Sequence, residues 1–402
     1  MPEVPYRFER THSCAEVAAS HADLAPGEES GEVVSIAGRL MLLRDQGKLA
    51  FAECRDWTGS VQLFLLANTT QRFPELVARS LGDWIGATGE VVRTKRGELS
   101  VKVTEWTLLA EARRSFGDKW RGIADPDLRY RQREVDLWAN EDVRRTFLMR
   151  SRAISSIRRR LEAEGFVEVE TPVLHPIPGG ANAKPFVTHY NALHSDFYLR
   201  VATELYLKRL VVGGFEKVFE IGRTFRNEGL SPRHNPEFTM LELYQAYADY
   251  NDMLVLTENL VAGVAEEVAG TTNITYQGRP LDLTPPWKRA TMAEVIFEHA
   301  GVEVDLAMGA DAVRKIADGL GVQTDPRAGA GAAMQEIYEK TAEHAIWDPV
   351  FVMDYPQEVS PLARVHRSRE GYVERFEPVV AGRELGNAFS ELVDPDDQRE
   401  RF

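Results

Sequence analysis

Chemistry concentrates in one segment, Phe219–Tyr247, which reads FEIGRTFRNEGLSPRHNPEFTMLELYQAY. Two strand-like runs flank a polar loop from Asn227 to Pro236, so the segment is expected to form an antiparallel hairpin. Side chains alternate across a strand, which puts Met240, Glu242 and Tyr244 on one face and Leu241 and Leu243 on the other. The turn region carries Arg226, Glu228, Arg233 and His234. A guanidinium fixed at a strand end suits bidentate binding of a phosphate or a carboxylate. A polar sheet face is otherwise usually just solvated, and the segment taken alone leaves both readings open.

The elements that must position this hairpin are legible around it. A helix is expected over roughly 143–164, with Val143, Phe147, Ile154, Ile157 and Leu161 on one face, arginines on the other, and Gly165 as its stop. Glu204–Val212 reads as a second helix, residues 253–345 as mostly helical, and strand signals return at 350–354 and 372–392. The glycine/alanine stretch Arg327–Ala333 follows no strand and lacks Lys-Ser/Thr, so it reads as a loop and not a phosphate cradle. Upstream, Val33–Leu43, Leu49–Cys54 and Val61–Leu66 read as strands. A short helix Phe73–Ser80 follows, then strands Trp84–Thr94 and Leu99–Leu109. That order is the one expected of an OB-fold, and a generic small barrel would give it too.

The chain has 402 residues, 44% apolar and 27% charged, which excludes disordered, collagen-like and low-complexity classes and suggests two or three domains. No window approaches eighteen uncharged apolar residues, so no membrane span is expected. The charged first thirty residues hold no apolar core of a secretory signal. Cys14 and Cys54 cannot build a disulfide framework or a zinc site, which suits a reducing cytosol. The net charge of −14 argues against a protein that coats nucleic acid. Residues 1–140 hold 19 Lys/Arg against 21 Asp/Glu, and residues 141–402 hold 29 against 41. Two basic islands, Arg113–Arg133 and Val143–Arg160, suit either a polyanionic partner held at one surface or ordinary solvated helix faces.

The Phe219–Tyr247 segment closely resembles motif 2 of class II aminoacyl-tRNA synthetases, in the form of the lysyl branch. GFVEVETPVL at 165–174 resembles motif 1, whose Pro172 lies at the family's dimer interface. IPGGANAKPF (177–186), ELYLKRLVVGGFEKVFEIGRTFRNE (204–228), DYPQEVSPLA (354–363) and GRELGNAFSELVDPDDQRERF (382–402) are also similar to the lysyl type. GKLAFAECRDWTGSVQLF (47–64) resembles the anticodon-binding OB domain of the same enzymes.

The resemblance implies a multidomain α/β (α+β) protein: an N-terminal OB-fold β-barrel and a class II catalytic domain built on an antiparallel sheet flanked by helices. The expected division is a helical extension over 1–30, an anticodon-binding OB domain over 31–110, a linker over 111–142 and the catalytic domain over 143–402. The implied activity is ATP-dependent activation of lysine and its transfer to tRNA(Lys), in a cytoplasmic homodimer. Glu391 and Tyr244 would meet the ε-ammonium, and Glu204, Glu242 and the Gly180 carbonyl the α-amine. Arg226 and Asn387 would hold the lysine carboxylate and Phe389 the stem. Arg226, as the catalytic residue, would also contact the ATP α-phosphate, Glu228 the adenine amine, and Phe238 would stack on the purine, with His234 and Asn235 on the nucleotide loop. Glu377 and Glu384 match the family's Mg2+-binding acids. Arg39, Phe51 and Gln62 match residues that would read an anticodon uracil, unless Phe51 is merely barrel core.

Two departures stand out. The family commonly has Ala-Pro-Glu where this chain has Ala202–Thr203–Glu204, and Thr203 is expected to cap the helix instead. Motif 3, a glycine-rich strand with an ATP-binding arginine, does not occur before Phe402. The expectation is that roughly 90 residues of the family's extent are missing and that lysine activation by this chain is near background. Alternative readings are an aspartyl- or asparaginyl-type relative, disfavoured by GGANAKPF and YPQEVSPLA, and a non-catalytic paralogue that binds tRNA or a partner through the OB domain.

Overall fold

A computed structural model describes residues 4–114, 123–229, 231 and 234–401. Arg233, and Lys119 and Arg121 of the first basic island, lie outside the described residues. The chain divides into two compact units, Met1–Phe147 and Leu148–Phe402.

In the first unit, strands Glu29–Asp45 (β1), Leu49–Arg55 (β2), Ser60–Leu66 (β3), Trp84–Arg93 (β4) and Leu99–Ala110 (β5) close a barrel in the order β1-β2-β3-β5-β4. Strict alternation drives it. Val34, Ile36, Ala50, Ala52, Val61, Leu63 and Leu65 point into one core, while their neighbours along each strand face outward. The barrel starts earlier than expected, at Glu29. The helix before it, Cys14–Ser20, is no loose extension. A Ser13/Glu16 capping box starts it, and Cys14 and Val17 enter the barrel core. The second helix runs only Phe73–Val77, three residues short of the expectation, and buries Phe73 and Leu76.

The described part of the stretch read as a linker includes two short helices. Helices Pro126–Arg131 and Arg133–Ala139 are fixed by fully buried Asp136, which accepts bonds from Arg129, Arg133 and Asn140. Trp138 then packs edge-on against Trp84 of β4, with 5.2 Å between centroids.

In the second unit, Glu237–Gln245 pairs antiparallel with Lys217–Phe225, which pairs in parallel with the short strand Val167–Glu168. The apolar face of this sheet, Phe219, Ile221, Leu241 and Leu243, packs on Ile157 and Leu161 of helix Glu141–Ala163 and on Leu256 and Leu260 of helix Tyr250–Ala269. Hence the alternation in the hairpin: one face must be apolar to dock two helices, which leaves the other free to be polar. A second sheet runs Lys288–Thr291, Val350–Met353, Arg375–Val379, Ala388–Phe389, parallel in its first pair and antiparallel thereafter. Helices Met292–Ala300, Ala310–Gly319 and Ala330–Thr341 contribute to its core.

Residues 253–345 are less uniformly helical than expected. The hairpin Asn273–Tyr276/Arg279–Asp282 and the strand Lys288–Thr291 interrupt them, as four-residue strands too short for a period to register. The glycine/alanine stretch also differs from its reading as a loop. It opens the Ala330–Thr341 helix, whose free N–H groups at Gly329, Gly331 and Ala332 are capped by the Glu358 carboxylate at 2.8–3.2 Å.

Candidate active site

The hairpin register sets the polar face. Glu220 lies opposite Glu242, Val218 opposite Tyr244, Gly222 opposite Met240 and Thr224 opposite Phe238. Glu220 is buried and neutralised by Arg200 at 2.5 Å, with the Thr171 hydroxyl at 2.6 Å. Arg200 passes over the sheet where Gly222 leaves room: a Cβ there would fall 2.2 Å from its Nη2. Glu242 has no ion pair among the described residues. It accepts the Thr203 hydroxyl at 2.6 Å and the Thr203 N–H at 3.1 Å. Thr203 therefore does not cap the Glu204–Val212 helix with its side chain, as expected, but holds Glu242. Burial, with Glu204 and Glu220 nearby, still pushes the Glu242 carboxyl up against those two bonds.

Beside it, Glu204 at the helix start and Glu391 after the last sheet strand converge on one cation, Lys208. Its Nζ is 2.6 Å from Glu204 Oε1, 2.8 Å from Glu391 Oε2 and 5.9 Å from the Tyr244 ring centroid. Burial pushes Glu391 up to about 7, although Lys208 pulls it down. Burial and the three carboxylates Glu204, Glu242 and Glu391 push the Tyr244 hydroxyl well up. Lys208 is raised, because Glu391 and Glu204 outweigh the burial that would lower it. Gly180, at φ +90°, packs its α-carbon where a Cβ would be 3.2 Å from those of Ala202 and Glu204. The structure thus brings Gly180, Glu204, Glu242, Tyr244 and Glu391 to one pocket. Sequence reasoning gave no role to Lys208 and a different one to Thr203. For Lys208 the available signal was its i+4 spacing from Glu204 on a helix.

Arg226 lies at the loop end of the hairpin, its Cζ 5.3 Å from the Phe238 ring centroid. Its Nε is buried with no hydrogen-bond partner among the described residues. A stacked guanidinium with a free donor is prepared for an anion. On the turn, His234 Nδ1 meets the Ser231 hydroxyl at 2.8 Å, and Asn235 and Glu228 are exposed. Asn387 is exposed and accepts from Arg375 Nε at 2.8 Å. Phe389, opposite Arg375 in the sheet, is half-buried and packs on the core of the helical part. Arg226 and Phe238 therefore meet directly, whereas Asn387 is engaged by Arg375.

Glu377 and Glu384 come together through the reverse turn that pairs Val379 with Glu384. Glu377 is held by Arg375 at 2.6 Å. Glu384 stays open to solvent, yet desolvation by the surrounding protein, and then Glu377, push it up to about 7. A carboxylate whose ionisation is opposed by a neighbouring carboxylate suits a cation beside it. No group of three or more metal-ligating side chains occurs among the described residues. Mg2+ fits such a sparse pair, because it is commonly held by one or two carboxylates and completed by phosphate oxygens and water.

On the barrel, Phe51, Glu53 and Arg55 of β2 and Gln62 and Phe64 of β3 share the outward face. Phe51 is therefore not core. It pairs directly with Phe64, their rings stacked at 5.4 Å and 12°. Phe64 was missed, although it has the same strand parity as Gln62. Gln62 donates to the Ser100 hydroxyl at 2.8 Å. Arg39 Cζ is 4.8 Å from both the Trp84 and Trp138 ring centroids, and its Nη1 donates to Gly82 O at 3.0 Å. In the second basic island, Arg158 pairs with Glu168 at 2.8 Å, and Arg159 and Arg160 pair with Glu267, so that end of it is internally neutralised.

Comparison with known proteins agrees with both units. Residues 34–109 match the OB-fold nucleic acid binding domain family. The chain is 51% identical to a lysine–tRNA ligase of Prochlorococcus marinus (strain MIT 9313), over 99% of this chain and 81% of that protein. It is likewise 51% identical to one from Synechococcus sp. (strain RCC307), over 100% and 81%, and 48% identical to one from Clostridium perfringens (strain 13 / Type A), over 99% and 79%. With residues 125–402 matching the class II (D, K and N) tRNA synthetases, the chain belongs to that family.

Proposed function

We propose that this chain is a lysine–tRNA ligase that joins lysine to tRNA(Lys) at the expense of ATP. The observation that carries the choice of lysine is the pocket of Glu204, Glu242 and Glu391 around the Tyr244 ring, in which a lysine ammonium from the chain itself is already bound between two carboxylates. Aspartate and asparagine, the other amino acids of the D, K and N group, carry no second ammonium to satisfy those acids. A site with unpaired buried polar groups rejects the analogue that lacks their partner.

In the proposed reaction Arg226 binds the lysine carboxylate and the α-phosphate, with the Asn387 amide N–H as the carboxylate's second donor while its Oδ1 stays on Arg375. Phe238 stacks on the purine, Glu228 receives the adenine amine, and His234 and Asn235 border the nucleotide on the turn. Glu242, Glu204 and the Gly180 carbonyl take the α-amine; Glu391 and Tyr244 take the ε-ammonium; Phe389 borders the stem. A carboxylate oxygen of lysine attacks the α-phosphorus in line, the bond to the β-phosphate oxygen breaks, and pyrophosphate leaves. A tRNA ribose hydroxyl then attacks the lysyl carbonyl and releases AMP. The first step needs no dedicated acid or base, so positioning and charge neutralisation carry its rate; in the second, the proton of the attacking hydroxyl passes to a phosphate oxygen and leaves with AMP. Glu377 and Glu384 would hold Mg2+, which would neutralise phosphate charge.

Phe51, Phe64 and Gln62 would receive anticodon bases on the barrel, with Arg39 bracing the neighbouring strand. We further propose residues 31–110 as the anticodon-binding domain, 143–402 as the catalytic domain, and a cytoplasmic homodimer. No helix among the described residues is long and apolar enough to cross a membrane. The test is calorimetric titration with lysine, aspartate and asparagine. Saturable binding of lysine alone is expected, and binding of aspartate or asparagine in preference to lysine would overturn the reading.

A further inference from the structure

Lys208 raises a question that the proposed lysine pocket does not answer. Two of the pocket's three acids, Glu204 and Glu391, are ion-paired with it, at 2.6 and 2.8 Å, and its Nζ lies 5.9 Å from the centroid of the Tyr244 ring. The side chain is 30% exposed, so it has a way out toward solvent. It projects from the first turns of a helix, and four methylenes let its ammonium swing without moving the backbone. Glu204 is buried, with a side chain only 9% exposed. A carboxylate placed there without a cation would be costly, so the empty pocket needs an internal one. An incoming ε-ammonium needs the same Glu391 oxygens, and two ammoniums on one carboxylate repel.

We propose that Lys208 is an internal stand-in for the substrate: it occupies the ε-ammonium position of the empty pocket and gives that position up when lysine binds. The inference rests on the lysine-pocket reading. It has two consequences. Lysine pays for displacing Lys208, so affinity is lower than the pocket's acids alone would give. Norleucine, which has the lysine stem without the ε-ammonium, leaves Lys208 in place and leaves no carboxylate unpaired, so discrimination against it is blunted.

The test measures Kd for lysine and for norleucine by calorimetry at pH 8.5, on the whole chain and on Lys208→Met, which keeps the stem and removes the charge. At that pH Glu391, raised to about 7, is largely ionised. In Lys208→Met the ratio of norleucine Kd to lysine Kd should rise at least tenfold, with lysine itself bound more tightly. An unchanged or smaller ratio, with lysine still bound by the unaltered chain, would overturn the stand-in role and leave the pocket reading intact. Failure of the unaltered chain to bind lysine would overturn both. If thermal melting shows that Lys208→Met does not fold, Lys208→Arg decides the matter. Its guanidinium spans both acids and is harder to displace, so lysine affinity should fall at least fivefold while norleucine affinity holds. Equal lysine affinity in that variant would overturn the proposal.

Discussion

Glu391, proposed to meet the ε-ammonium, would carry both selectivity and a pH dependence in a single carboxyl. It faces Lys208, Glu204 and Tyr244, and burial raises it to about 7. Above that value it is ionised and can take an ammonium; below it the neutral acid cannot. Lysine affinity should therefore weaken as pH falls from about 8 to about 6, approaching tenfold per unit below 7, because binding must then expel a proton. Glu391→Gln removes both the charge and the titration, so its lysine Kd should be weaker and nearly flat over the same window. The side chain keeps 31% of its exposure, so the loss belongs nearer the about 1.5–3 kcal/mol of a hydrogen bond to a charged group than the about 3–5 kcal/mol of breaking a fully buried pair. ATP affinity should not move. Calorimetry at three pH values checks this, and a lysine Kd in Glu391→Gln that still tracks pH through 7 would assign the titration to another group. Thr203 makes a companion case: Thr203→Val deletes the 2.6 Å bond to Glu242 and should weaken lysine by about 1.5–3 kcal/mol with little effect on ATP, read by the same titrations.

Among the elements, the Lys217–Phe225 strand depends on a glycine. Arg200 is 3% exposed and tied to Glu220, to the Arg223 carbonyl at 2.7 Å and to the Thr171 carbonyl at 3.2 Å, so it has little freedom to yield. Gly222→Ala would put a Cβ 2.2 Å from its Nη2 and force that buried pair apart. The expected loss is about 3–5 kcal/mol, seen as an early thermal transition of the second unit, with the barrel's transition unchanged. The same strand shows what the sequence made legible. The alternation of its partner, Glu237–Gln245, forecast the face shared by Met240, Glu242 and Tyr244, because a period of two is set locally. The Arg200–Glu220 pair was not legible, since nothing local ties those positions together. The Glu358 cap on Ala330–Thr341 was missed for the same reason: the glycines read as a loop until a distant carboxylate satisfies their N–H groups. Lys208 is intermediate. Its helix was foreseen, but Glu391 reaches it only through the fold of the second sheet.

At the scale of the whole molecule, a chain of net charge −14 is proposed to hold a polyanion, so attraction of opposite charge cannot be the main source of anticodon affinity. The barrel offers a different source. Phe51 and Phe64 form a stacked, outward pair, and Gln62 lies on the same face with an amide that can exchange its Ser100 bond for a base edge. Stacking on an aromatic contributes about 1–3 kcal/mol per base and is indifferent to sequence, while the amide supplies identity. Phe51→Ala should thus weaken binding of an anticodon stem-loop bearing UUU by about 1–3 kcal/mol. The slope of log Kd against log salt should stay nearly unchanged, because no phosphate contact is lost. Gln62→Ala should instead narrow the preference for UUU over a GCC loop. Because the lysine pocket is built wholly from residues 180–391, lysine affinity in both variants should equal that of the unaltered chain. Fluorescence titration of the two stem-loops at several salt concentrations, beside a lysine titration, measures all four quantities. A Phe51→Ala variant that loses salt dependence but not uracil affinity would make the barrel face a phosphate site and remove the stacking role argued for Phe51 and Phe64.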